Sequence, residues 1–360
     1  MGAADGSFPS THAMRPVKLL KLLYLLGGAA LFVALLLSLD LRSALALVWQ
    51  AGPLGIAGLC LVFFGLFALD ALMWLALVPE LPPRFTWYRR LVRVRLVGEA
   101  FNLVVPAGGF GGEPLKAVLL KSHYGVGYRE SSAGLVLARI QSLIGQFLFV
   151  AFAIVVMAVA TDLPTLYQAS AWGALAVLAG MTAGFILVPK LRLSSRLGRR
   201  FGAKRWAASL VKSLAAIEAV EDKVNAFARA HRARYVASIV LAMLRWTLGA
   251  AEMWLAMYLL GHPVSVAEAV VLEGLLQLAR SVSFFIPANL GTQDGAVALA
   301  ATAITGVAAA GLGAALLRRV REVIFIALGF AIGGWYSFRA LRRAAADPAV
   351  SAELADSQRK

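Results

Sequence analysis

Eight ionisable side chains lie inside apolar stretches of this 360-residue chain: Glu99, Glu113, Arg139, Arg245, Glu252, Glu273, Arg280 and Asp294. An ionised group at the centre of a bilayer costs roughly 2.5–3.5 kcal/mol on an insertion scale, so exposing all of them to lipid costs on the order of 20 kcal/mol or more. They must face one another or a wet interior. Their spacing favours a lined chamber: Arg139, Ser142 and Gln146 share one helix face, as do Arg245 and Glu252, and Glu273, Gln277 and Arg280. The plainer reading is a set of buried structural pairs, for instance Glu99 with Arg280.

The stretch VVPAGGFGGEPLK, 104–116, gathers four glycines, two prolines, a carboxylate and an amine within an apolar region. Pro106, Gly108, Gly109, Gly111 and Gly112 break the helical pattern, and Pro114 after Glu113 marks the start of a new half-helix that Glu113 is expected to cap. Such an end aims free N–H groups and a partial positive charge at an anion, and Lys116 adds a cation one turn in. Gly112 is expected to let the backbone come close to a headgroup. Laid on the later stretch RSVSFFIPANLGTQDG, Pro106 falls on Pro287, Glu113 on Asp294 and Glu99 on Arg280. Asn289 and Gly291 then belong to a second tip, with Thr292 or Asp294 as the cap of its return helix.

Composition sets the surroundings of these groups. Apolar residues make up 60% of the chain and charged residues 15%, and the mean hydropathy is +0.77, which places it among integral membrane proteins. Apolar runs at 19–39, 52–78, 131–160, 166–189, 235–260 and 320–338 approach or exceed the roughly 20 residues that a crossing helix needs. The net charge of +16 is concentrated in loops: Arg15, Lys18 and Lys21, then Arg84, Arg89, Arg90, Arg93 and Arg95, then twelve basic residues from Lys190 to Arg234. That is the positive-inside pattern, and it points to anionic lipid at the cytoplasmic face rather than to nucleic acid.

With the N-terminus inside, the segment 96–120 begins and ends on the basic side, so it reads as a re-entrant hairpin. The expected fold is an all-α polytopic membrane protein of about six membrane-crossing helices plus two re-entrant helical hairpins, about 96–120 and 266–312, in an inverted repeat. Residues 1–18 form a cytoplasmic tail, 19–340 the transmembrane domain and 341–360 a polar tail, with both termini cytoplasmic. An amphipathic segment at about 200–233 is either an interfacial helix or a connector packed on the bundle. Arg318, Arg319 and Arg321 resist this scheme, because it places them on the outer side. Either they find partners there, or 264–317 is a pair of full crossings.

Catalysis has less support. His12, His123, His231 and His262 fall in tails, loops or the connector, the single Cys60 has no intrachain disulfide partner, and no metal or nucleotide motif is present. No enzyme activity, metal or cofactor is expected. The competing readings are a lipid-modifying membrane enzyme and a non-catalytic partner in an envelope-lipid complex.

The segments RLVGEAFNLVVPAGGFGGEPLKAVLLK and ARSVSFFIPANLGTQDGAVAL resemble the lysylphosphatidylglycerol synthase transmembrane region family, also described as flippase-like, over about 19–340. The resemblance implies a membrane domain that moves lipid between leaflets. It points to Glu99, Asn102, Pro106, Gly112, Glu113, Arg139, Arg280, Pro287, Gly291 and Asp294. The chain ends at Lys360, so a member without the soluble aminoacyltransferase domain is expected. The implied partner is a membrane lipid, with a phospholipid, an isoprenoid and a polyprenyl-linked lipid as candidates. The arginine-rich basic set suggests a GC-rich bacterium, hence a bacterial inner membrane.

Overall fold

A computed structural model describes residues 41–104, 111–160, 165–191, 208–283, 286, 289 and 291–345. The tail 1–18, the run 19–39, Pro106, Gly108, Gly109, Pro287, the start of the 200–233 segment and the last fifteen residues lie outside them. Every regular element among the described residues is a helix: α1 (Leu41–Leu77), α2 (Phe85–Val104), α3 (Glu113–Tyr124), α4 (Tyr128–Ala160), α5 (Thr165–Lys190), α6 (Ala208–Ala230), α7 (Arg232–Leu259), α8 (Val266–Val282), α9 (Thr292–Thr305) and α10 (Ala308–Ala345). Among the described residues four segments are long and apolar enough to cross a membrane: Val48–Leu77, Tyr128–Ala160, Ala169–Leu187 and Arg232–Leu259. The expected run 320–338 lies within α10, whose inner part carries Arg318, Arg319, Arg321 and Glu322. Large apolar side chains point outward, Leu61 at 72% exposure and Val155 at 56% among them. Such a surface suits hydrocarbon and not water.

Local chemistry explains where the helices bend and stop. Pro53 follows Gly52 inside α1, where Gly52 adopts φ 62, and the helix kinks there. The start of α8 is closed reciprocally, the Glu268 N–H donating to Ser265 Oγ at 3.2 Å and the Ser265 N–H to Glu268 Oε2 at 2.7 Å.

The helix boundaries reveal a repeat. Adding 181 carries Phe85 to Val266, Tyr124 to Thr305 and the left-handed Gly125 that ends α3 to the left-handed Gly306 that ends α9. This is the same offset that aligns Pro106 with Pro287. Packing obeys it as well: α1 lies on α10 as α7 lies on α4, α2 on α10 as α8 on α4, and each hairpin helix pair on its own neighbours. The equivalents α1 and α7 run side by side in opposite directions, since Gly55 faces Leu259, Gly58 faces Leu255 and Gly65 faces Leu248. The repeat is therefore inverted.

Helix α6 packs against α4, α5 and α7, burying Val224 and Phe227 in one cluster with Leu77, Leu137 and Ile140. Lys223 Nζ ties it to Glu130 at 2.7 Å and Glu80 at 3.4 Å.

Hairpin one closes on two glycines. A Cβ at Gly112 would stand 1.9 Å from the Gly98 carbonyl oxygen, so α2 and the start of α3 meet backbone to backbone. Gly112 thus serves the crossing of the two helices, and the expected close approach to a headgroup is replaced by close approach to α2. Gly112→Ala should lower stability by about 1–3 kcal/mol, the usual range for overpacking. Gly180→Ala on α5, where a Cβ meets nothing within 4 Å, should be neutral or stabilising. Thermal unfolding in detergent compares them, and equal melting temperatures would contradict the crossing.

Candidate functional site

The two hairpins and the long helices around them enclose a cavity of about 190 Å³. Hairpin one brings Glu99, Asn102 and Glu113 to it, α4 brings Arg139, Ser142 and Gln146, α7 brings Arg245, and the second hairpin brings Gln277, Arg280, Ser281 and Asn289. The stripes read from sequence spacing on α4 and α8 thus converge. Leu178 and Met181 of α5 supply an apolar wall.

Asp70 of α1 is the electrostatic centre, only 4% exposed. Its Oδ2 accepts from Arg95 at 2.6 Å and from Arg245 Nε at 2.9 Å. The Arg245 guanidinium also stands 4.2 Å over the Trp246 ring, and Trp246 Nε1 donates to the Ser142 carbonyl at 3.1 Å. Across the cavity Gln146 Nε2 donates to Ser281 Oγ at 3.1 Å, joining α4 to α8.

At hairpin one the cap differs from the expectation. Gly112 is the N-cap of α3, and Asn102 Oδ1 accepts its N–H at 2.7 Å. Glu113 is the first helical residue and binds Lys116 Nζ at 2.6 Å, with Pro114 following it. The reason is geometric: a carboxylate at the first helical position sits beside its own turn and reaches the side chain three residues on. Lys116 is fully buried behind Glu113 and does not line the cavity. Gly111 lies half-buried in the turn between the two helices.

At the second tip Gly291 is the N-cap of α9, and Asp294, the third helical residue, is not itself the cap but accepts the Gly291 N–H through Oδ2 at 3.0 Å. Thr292 Oγ1 instead bonds the Ser283 hydroxyl at 2.8 Å and the Asn289 carbonyl at 3.0 Å. Asn289 adopts φ 48, a conformation that asparagine tolerates better than most residues.

Three predicted site residues belong to a neighbouring ion network and not to the cavity. Glu273 binds Arg318 at 2.8 Å, Asp294 binds Arg319 at 2.6 Å, and Glu252 binds Arg321. Glu322 bridges Arg319 at 2.7 Å and Arg321 at 3.6 Å. Of the three arginines that resisted the sequence topology, Arg321 is buried and Arg318 and Arg319 are half-buried, each with an acid beside it.

The expected pair of Glu99 with Arg280 is not formed. Glu99 Oε2 accepts from Asn102 at 3.3 Å, and no carboxylate among the described residues lies within 4 Å of the Arg280 guanidinium. Equivalent positions in an inverted repeat share a depth but not a contact, and here both open onto the cavity from different helices. Asp70 and Arg95 were missed as site residues. Asp70 is the single acid in the run 52–78, a signal present in the sequence, whereas Arg95 resembles its loop neighbours Arg89, Arg90 and Arg93.

Asp70→Asn leaves two arginines without their shared carboxylate and should cost about 3–5 kcal/mol, measured by unfolding in detergent. Glu99→Gln should cost less. In a double-mutant cycle the losses from Glu99→Gln and Arg280→Gln should add within about 0.5 kcal/mol, and a larger coupling would restore the direct pair.

No curated protein and no solved structure matches the chain. The family model of the lysylphosphatidylglycerol synthase TM region matches residues 20–329. With nearly the whole chain matched, and with apolar helices around a charged interior, the protein belongs to the lysylphosphatidylglycerol synthase transmembrane-region family and is an integral membrane protein related to lipid handling.

Proposed function

We propose that the protein is a lipid flippase, moving an amphipathic lipid between leaflets of a bacterial inner membrane. The observation that supports this reading is the charged cavity at the tips of two inverted hairpins inside an apolar bundle. A polar headgroup gains its partners there while the acyl chains stay in hydrocarbon. The apolar α5 wall, Leu178 and Met181, is the side past which the chains would lie. Neither hairpin crosses in this reading, and the two hairpins open toward opposite leaflets.

Alternating access then follows from the repeat. The cavity is lined by both halves and lies on one side of the polar interior, while the other side, holding Arg318, Arg319 and Arg321, is filled by ion pairs. Exchange of these roles would carry the headgroup from one side to the other. The basic loops support cytoplasmic placement of both termini.

Leaflet exchange of acyl-labelled lipid in reconstituted vesicles tests the reading. The protein should accelerate exchange over protein-free vesicles without altering the lipid. Ala138→Trp, which places an indole in the cavity, should slow exchange about tenfold or more at unchanged membrane abundance, as expected when a pocket is filled. Exchange no faster than in protein-free vesicles would overturn the proposal, and a chemically new lipid product would point to an enzyme.

A further inference from the structure

We infer that Lys116 and Glu113 form a proton-binding site, Lys116 holding the proton and Glu113 passing it to and from the cavity, and that lipid movement is thereby coupled to proton movement. The coupling rests on the transport reading, whereas the proton site does not.

The chemistry of the interior cations singles out Lys116. Among the described residues, the cations that line the cavity and those of the α10 network are all arginines. A guanidinium keeps its proton at any pH at which a protein works, whereas an ammonium taken out of water gives its proton up far more readily. Lys116 is 0% exposed. Its Nζ meets one carboxylate among the described residues, Glu113 Oε1 at 2.6 Å.

The surroundings are shaped to that amine. A Cβ at Gly98 would stand 2.3 Å from Lys116 Cε and 2.6 Å from its Cγ, so α2 carries no side chain where the lysine stem passes. The stem is sealed between α2 and α3, and its end meets Glu113. The Glu113 side chain is 31% exposed and lines the cavity. The buried member of the pair therefore communicates with the cavity through the accessible one.

The charges that face the pair come from both helices packed on α3. Arg95 and Glu99 of α2 lie within electrostatic reach of Lys116, and Arg139 of α4 lies within reach of Glu113. Arg95 favours release of the proton as a like charge, while Glu99 and Glu113 favour its retention. These opposing neighbours sit on different helices, so a change in the crossing of α2 and α3 shifts the balance between holding and release.

Release is a balanced transfer. The Nζ–H bond breaks, an Oε1–H bond forms, and ammonium with carboxylate becomes amine with carboxylic acid. Glu113 then gives the proton to solvent in the cavity and returns to carboxylate, leaving the interior one positive charge poorer. Loading reverses both transfers. In the transport reading, loading toward one leaflet and release toward the other carries one proton per cycle.

Two measurements test the two parts separately. In protein isotopically labelled at its lysine nitrogens, the Lys116 Nζ resonance, assigned by its loss in Lys116→Arg and Lys116→Gln, should pass from ammonium to amine between about pH 5 and about pH 9. Unperturbed lysines remain ammonium there, since they titrate near about pH 10.4. A Lys116 resonance that stays ammonium throughout would overturn the site. For the coupling, acyl-labelled phosphatidylglycerol is followed to its final distribution between the leaflets of sealed vesicles, with a pH difference of about one unit and the membrane potential held at zero. One proton per lipid should displace the final leaflet ratio about tenfold from its value without the gradient, after subtraction of protein-free vesicles. Lys116→Arg keeps the charge but cannot release the proton, so its ratio should not move. The final ratio is independent of rate, so slow exchange in the variant is not mistaken for lost coupling. An unmoved ratio in the wild type, or a displacement retained in Lys116→Arg, would overturn the coupling. Absence of exchange under every condition would defeat the transport reading and the coupling with it, while the lysine titration still decides the proton site.

Discussion

Asp70 is a carboxylate buried within an apolar helix, and the arrangement of the interior depends on what compensates it. In hydrocarbon an isolated ion is expensive, and a pair breaks even only with good geometry and further hydrogen bonds. Asp70 meets that demand by drawing Arg95 from hairpin one and Arg245 from α7 to a single oxygen. Three segments distant in sequence are thereby fixed around one point. The cavity lies beside that point, lined also by Glu99, by Arg139 of α4 and by Arg280 of α8.

The repeat gives this arrangement its mechanical meaning. Two copies of a helix, a broken hairpin and a second long helix are related by reversal, so each half could in principle build the same chamber. They differ in charge placement. The interior beside α10 is filled with arginine–carboxylate pairs, whereas the interior between the two hairpins and α4 leaves space between the charges. Similar folds with unlike polar fillings thus leave one part of the interior packed and another part hollow.

Much of this was legible in the sequence because membrane chemistry leaves a sharp record. Apolar runs gave the long helices, and the Pro106–Pro287 register gave the offset that the helix boundaries later matched. Stripes such as Glu273, Gln277 and Arg280 announced inward faces. Partner choice was not legible. Glu99 and Arg280 occupy equivalent positions yet do not touch, and Glu273 and Asp294 are taken by arginines that spacing placed near the outer surface. Sequence spacing reports which face a side chain occupies, whereas pairing depends on how helices cross. Gly112 shows the same limit: its need for close approach was visible, but the neighbour it approaches, the Gly98 backbone, is a fact of tertiary structure.

The central claim is that a polar, ligand-accessible chamber exists at the hairpin tips within the bilayer, and thiol accessibility at Ser142 tests it most directly. On a Cys60→Ala background, a membrane-impermeant thiol reagent should modify Ser142→Cys, which lines the cavity, far faster than Val155→Cys, which faces lipid from the same helix. Added phosphatidylglycerol should protect the first site. Reaction at Ser142→Cys as slow as at Val155→Cys, with the protein folded, would contradict the account.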